Sequence, residues 1–152
     1  MASGALPPGF SRDGILNLDL CCYRRGFMLD GLSFMKGDEA IVVTKFGMNY
    51  REMPNMRDSS AARVKASIDK SLQNLGTDYV DVYLVHWPDR NTPFEETMSA
   101  LNDIVREGKV RYVAASNYSA TRLAEALAVS AREGLTRYVA LQPQYNLVER
   151  SG

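Results

Sequence analysis

The sequence predicts an α/β fold of parallel (β/α) units, an incomplete TIM-type (β/α)8 barrel, and three observations carry that reading. Runs of β-branched and aromatic residues begin near positions 41, 80, 110 and 138, about the spacing of a strand–helix–strand unit. Between each pair lies an amphipathic run with its own start and stop residues, so the strands must be parallel and joined by right-handed crossovers. Each strand run ends in a polar or ionisable residue, and no Gly-x-Gly-x-x-Gly follows any of them. That pattern disfavours a doubly wound dinucleotide-binding sheet and favours a barrel with its chemistry on the carboxyl-terminal rim.

In chain order, residues 1–38 read as a divergent amino-terminal segment and residues 39–152 as the partial barrel domain. Pro7-Pro8-Gly9 marks a loop, residues 15–20 alternate like a short strand, and residues 27–34 are apolar but interrupted by Asp30-Gly31. Ile41-Val42-Val43-Thr44 is a strand ending at Lys45, and a loop rich in Met, Asn and Pro runs over 46–57. Asp58 or Ser59 is placed to cap a helix with Ala61, Val64, Ile68, Leu72 and Leu75 on its apolar face, ended by Gly76. The next strand alternates Val80, Val82 and Leu84 with Asp81, Tyr83 and Val85, and stops where Trp87-Pro88 turns the chain after His86. Thr92-Pro93-Phe94-Glu95 has the form of a capping box with proline at the first helical position. Phe94, Met98, Leu101 and Val105 form the buried face of that helix, and Gly108 closes it. A strand over 110–115 delivers Ser116-Asn117. Ser119 then caps a helix through Leu123, Leu127 and Ala131 to Gly134, and a strand over 138–141 delivers Gln142.

Composition narrows the partners. Eighteen basic residues balance eighteen acidic ones, which argues against nucleic acid or an anionic membrane surface, since both usually need a basic face. No apolar run approaches the ~20 residues of a transmembrane helix, and the opening M-A-S-G-A-L-P-P-G-F lacks the layout of a secretory signal. Cys21 and Cys22 are adjacent, poorly placed to pair, and have no histidine or third cysteine nearby to form a metal site. The expectation is a cytoplasmic protein without a bound metal.

Because barrel strands all point one way, Lys45, His86, Ser116, Asn117 and Gln142 fall on one rim. Singly, each has a structural explanation: a solvated strand-end lysine, a hydrogen-bonding histidine, a turn-and-cap pair, a strand-end glutamine. Their conjunction is what points to chemistry. The stretches that carry them are V-T-K-F-G at 43–47, L-G-T-D-Y-V-D-V-Y-L-V-H-W-P at 75–88 and G-K-V-R-Y-V-A-A-S-N at 108–117. T-P-F-E-E-T at 92–97 and Q-P-Q-Y-N at 142–146 add to these. Over residues 41–150 the chain resembles the aldo-keto reductases.

The resemblance implies a (β/α)8 barrel that reduces aldehydes and ketones with a nicotinamide cofactor, usually NADPH, and hence a small-molecule carbonyl substrate. It implies that Lys45 lowers the pKa of a catalytic tyrosine, that His86 orients the substrate carbonyl, and that Ser116, Asn117 and Gln142 hold the nicotinamide carboxamide. The family's remaining pair, an aspartate and a tyrosine in an Asp-x-x-x-x-Tyr-Gly stretch, has no match. The nearest stretch, Asp19-Leu20-Cys21-Cys22-Tyr23, puts Tyr23 four positions on instead of five and Arg24 where glycine belongs. A full barrel takes ~250 residues, so about four or five of eight strands are expected here. Two expectations follow: self-association through exposed sheet edges, and an incomplete catalytic set. The alternative is a catalytically inactive family member that serves as a binding or interaction module.

Overall fold

The structure, a computed structural model, describes residues 15–17 as backbone, together with 41–48, 57–144, 147, 148 and 150. The expectations for Asp19, Cys21, Cys22, Tyr23 and residues 27–34 lie outside these. Five strands stand side by side in the order the chain makes them: β1 (Ile15–Asn17), β2 (Ile41–Phe46), β3 (Val80–Val85), β4 (Val110–Ser116) and β5 (Tyr138–Gln142). Every neighbouring pair is parallel. From β2 onward each crossover is a helix: α1 (Ala61–Leu75), α2 (Phe94–Arg106) and α3 (Ala120–Glu133). Parallel strands alternating with helices, in sequential order, are the arrangement of a partial (β/α) barrel.

Register decides which side chains share a face. Thr44, Tyr83 and Val113 lie abreast, as do Phe46, Val85 and Ala115. These look toward the helices, where Phe46, Tyr83, Val85, Val113 and Ala115 join Val64 and Ile68 of α1, Met98, Leu101 and Ile104 of α2, and Ala126 and Val129 of α3. Burial of each large side chain in this layer contributes about 1.5–3 kcal/mol by transfer from water. The Phe46 and Tyr83 rings stack at 4.7 Å, directly beneath the end of β2. Side chains alternate along a strand. Lys45, Leu84, Ala114 and Ser116 therefore leave the sheet on the face away from the helices.

Helix boundaries differ from the sequence expectation in instructive ways. Ser60, not Asp58 or Ser59, caps α1, its hydroxyl accepting the Arg63 amide at 3.3 Å. Asp58 and Ser59 are used otherwise. The Asp58 carboxylate accepts the Ser60 amide and Arg63 Nε, while the Ser59 amide donates to Asp89. The capping box at Thr92 does not form: Pro93 is the N-cap of α2 without a side-chain bond, and the Thr92 hydroxyl donates to Asp89 at 2.7 Å. A buried carboxylate competes successfully for the hydroxyl, because charge-assisted hydrogen bonds are the stronger ones. In α2, Ile104 is fully buried and Val105 only partly so, and in α3 the exposed Ala131 gives way to Ala126, Val129 and Ser130. The buried Ser130 is tolerated because its hydroxyl donates to the Ala126 carbonyl at 3.1 Å. Gly108 ends α2 as expected. At φ 76° its amide donates to Val105 and the following Lys109 amide to Ile104, a Schellman closure that favours glycine.

At the amino-terminal end of the sheet a buried Asp81 accepts the Val42 amide at 2.8 Å and Arg111 Nη1 at 3.0 Å. This is the end of a barrel that serves stability. The chemistry lies at the other.

Candidate active site

The site residues come from the carboxyl ends of four neighbouring strands, β2, β3, β4 and β5. Lys45, His86, Trp87, Ser116, Asn117 and Gln142, with Pro143 and Gln144, line one open cavity of about 320 Å³. The five residues singled out from the sequence therefore meet in one place. Lys45 also borders a second cavity of about 310 Å³ against α1.

A belt of hydrogen bonds fixes the rim. The His86 amide donates to the Phe46 carbonyl at 2.9 Å, and the Asn117 amide to the Gln142 carbonyl at 3.1 Å. Asn117 Nδ2 donates to the His86 carbonyl at 2.9 Å and to Ser116 Oγ at 3.1 Å. Ser116 Oγ in turn donates to the Gln142 carbonyl at 3.0 Å. The ends of β2, β3, β4 and β5 are thus tied by one continuous set of bonds. Asn117 makes the link from a left-handed conformation, φ 59°, which asparagine tolerates better than most residues. Its Nδ2 donors and the Ser116 hydroxyl proton are spent on the scaffold. Gln142 is different: it lines the cavity, and its buried Oε1 accepts no hydrogen bond among the described residues.

A bulge puts Gln142 there. Val113 pairs with Tyr138 but Ala115 pairs with Leu141 and Ser116 with Gln142, so β5 carries one extra residue. In a regular strand Gln142 would share the helix-facing side with Tyr138, four residues earlier. The extra residue turns it to the rim.

The segment after His86 is held by Asp89, 5% exposed. Its carboxylate accepts the Ser59 amide at 3.0 Å, the Asn91 amide at 2.8 Å and the Thr92 hydroxyl. Its carbonyl accepts Arg122 Nη2 at 3.0 Å, and Arg122 lies 4.3 Å over the Phe94 ring. The Thr97 hydroxyl donates to the Ser59 carbonyl at 2.9 Å. The β3–α2 loop and the start of α1 are thus fastened to each other. Sequence reasoning missed Asp89. Its signal was the Asp-x-Asn-Thr pattern, in which the carboxylate accepts the amide two residues on, an Asx turn. It also gave no role to Arg57, whose guanidinium carbon lies 5.0 Å over the Trp87 ring.

Among the described residues no three or more histidine, cysteine or acidic side chains gather as a metal site, and no helix is long and apolar enough to cross a membrane. Tyr23 and Asp19, the nearest sequence match to the missing tyrosine and aspartate, fall outside the described residues.

A sequential array of parallel strands alternating with helices, with polar side chains at the carboxyl ends of the strands, is the layout of part of a (β/α) barrel. The chain belongs to the Aldo/keto reductase family, whose profile matches residues 28–151. It is 35% identical to Aldo-keto reductase YhdN of Bacillus subtilis over 115 residues, 76% of this chain and 33% of that protein. It is also 35% identical to L-glyceraldehyde 3-phosphate reductase of Escherichia coli K12 over 147 residues, 95% of this chain and 38% of that protein. Norsolorinic acid reductase B of Aspergillus parasiticus is 33% identical over 119 residues, 74% of this chain and 31% of its own. The chain spans about a third of the length of these relatives.

Proposed function

We propose that this chain carries the nicotinamide and carbonyl-orienting part of an NADPH-dependent reductase of aldehydes and ketones. The observation that supports it most is Gln142, which lines the cavity beside His86 and whose buried Oε1 accepts no hydrogen bond among the described residues. Such an acceptor costs free energy unless a donor arrives, and the NH2 of a nicotinamide carboxamide is a donor of the right kind. Ser116 and Asn117 position Gln142 through its carbonyl. When bound, NADPH supplies a hydride to the carbonyl carbon.

The protein's own residues do the rest. His86 lines the cavity, fixed through its backbone from both sides, and its role in this reading is to orient the substrate oxygen by hydrogen bonding. Positive charge at Lys45, 8% exposed, favours the negative charge that develops on that oxygen. Turnover also requires a proton donor, for which Tyr23 with Asp19 is the nearest candidate in the sequence. Names of relatives that include "reductase" support the reaction type. The reading carries with it a reducing, cytoplasmic setting and two parts to the chain, 1–38 and 39–152. Nothing among the described residues favours a non-catalytic module.

Trp87 is the only tryptophan and borders the same cavity, so it reports on the site. Titration with NADPH should quench its fluorescence saturably, and Gln142→Leu should weaken binding about tenfold, as expected when a buried hydrogen bond is lost. Unchanged Trp87 emission up to millimolar NADPH would sink the proposal.

A further inference from the structure

We propose that Arg57, stacked on Trp87, selects carbonyl substrates that carry an anionic group. The inference rests on the carbonyl-orienting role given above to His86. The imidazole and indole ring centroids are 6.4 Å apart, and the Arg57 guanidinium carbon lies 5.0 Å from the indole centroid. A short-chain substrate with its carbonyl at His86 could place a carboxylate or phosphate against this cation by lying along Trp87.

Arg57 borders the site through Trp87, which lines the cavity, and three features fix it there. Its backbone is pinned: Arg57 bridges Met48 in antiparallel fashion, the Asp58 amide donates to the Gly47 carbonyl at 3.1 Å, and Ser59 is bonded at both its amide and its carbonyl. Its charge is uncompensated: among the described residues no carboxylate pairs with it. The adjacent Asp58 is committed elsewhere, to the Ser60 amide and to Arg63 at 3.1 Å. Burial works against ionisation of Asp58, but the Ser60 and Arg63 contacts outweigh it and hold the carboxyl below its ordinary value. Asp58 thus stays charged and paired with Arg63. Third, the residue is exposed while its guanidinium packs over the Trp87 face. A planar guanidinium stacked on an aromatic ring keeps its N–H edges free for a bidentate anion.

The test needs no turnover. The single indole N–H gives one amide-type resonance in a nitrogen–proton correlation spectrum, and its shift reads ligand binding beside Trp87. The 152-residue chain is titrated without cofactor with 4-oxobutanoate, with 3-oxopropyl phosphate and with neutral butanal. At least one anion should bind about fivefold or more tighter than butanal, the range of a partly exposed ion pair, and 0.5 M salt should erase most of the difference. Arg57→Gln should bring the anionic and neutral affinities together, and Arg57→Lys should restore part of the preference. Equal affinities in the wild-type chain, or a preference that survives Arg57→Gln, would overturn the assignment. Failure of NADPH to quench Trp87 would instead count against the reductase reading alone, since the anion preference is measured in its absence.

Discussion

Asn117 carries more of the site than its size suggests. It bridges the ends of β3 and β4 through Nδ2 and reaches β5 through its amide, all from φ 59°. Two costs can be separated by substitution. Asn117→Gly loses the side-chain bonds and keeps a residue at ease in the left-handed region. Asn117→Ala loses the same bonds and adds roughly 1–2 kcal/mol of steric strain. The glycine variant should therefore be the more stable of the two, reversing the usual alanine-over-glycine order. Urea denaturation midpoints decide it, and an alanine variant as stable as glycine would refute the strain argument. From sequence, Ser116-Asn117 could be read as a turn-and-cap pair or as cofactor ligands. The bonds show that much of their donor capacity goes into holding the rim, while the buried Gln142 Oε1 accepts no hydrogen bond among the described residues.

At the scale of elements, β5 stands apart. Among the described residues it pairs only with β4, Val139 is 50% and Leu141 37% exposed, and the following Leu147 and Val148 are almost fully exposed. An apolar edge strand with unpaired backbone groups is a template for another strand. The 152-residue chain is expected to self-associate at tens of micromolar, and Val139→Lys to reduce that, as charged residues blunt sheet edges. A concentration-independent monomer mass by light scattering would refute this. The other elements were readable in sequence because propensity and periodicity agreed. Misplaced detail came where tertiary partners competed for a polar group. The Thr92 hydroxyl went to Asp89 instead of the helix start, and α3 rotated to bury Ala126 and Val129 instead of Ala131.

The whole molecule joins β5 to the helix layer through aromatic rings: Phe94 and Tyr118 at 6.2 Å, Tyr118 and Tyr138 at 5.8 Å edge to face. Burial raises the Tyr118 phenol above its ordinary value, and raises Tyr138 well above it, with Tyr118 beside it adding to the effect. In the unfolded chain both lose their protons near pH 10. Above that pH the unfolded state binds fewer protons than the folded one, so stability falls as pH rises. The contribution is intact below about pH 10 and is lost as pH climbs through the folded values. Denaturation midpoints measured from pH 8 to 11 should drop steeply at the alkaline end, and less so for Tyr138→Phe; identical slopes would exclude these phenols as the cause. By itself the sequence determined the (β/α) order, the parallel strands and the residues at each strand end. Local periodicity and turn chemistry are properties of short stretches. The tertiary structure alone decided which strand-end side chains face the cavity. The β5 bulge turns Gln142 to the rim, Asp89 draws the start of α1 to the loop behind His86, and that fastening sets Arg57 against Trp87. Each of these depends on groups far apart in the chain meeting in space, Val113 with Tyr138, Ser59 with Asp89 and Arg57 with Trp87, and no local pattern encodes such a meeting.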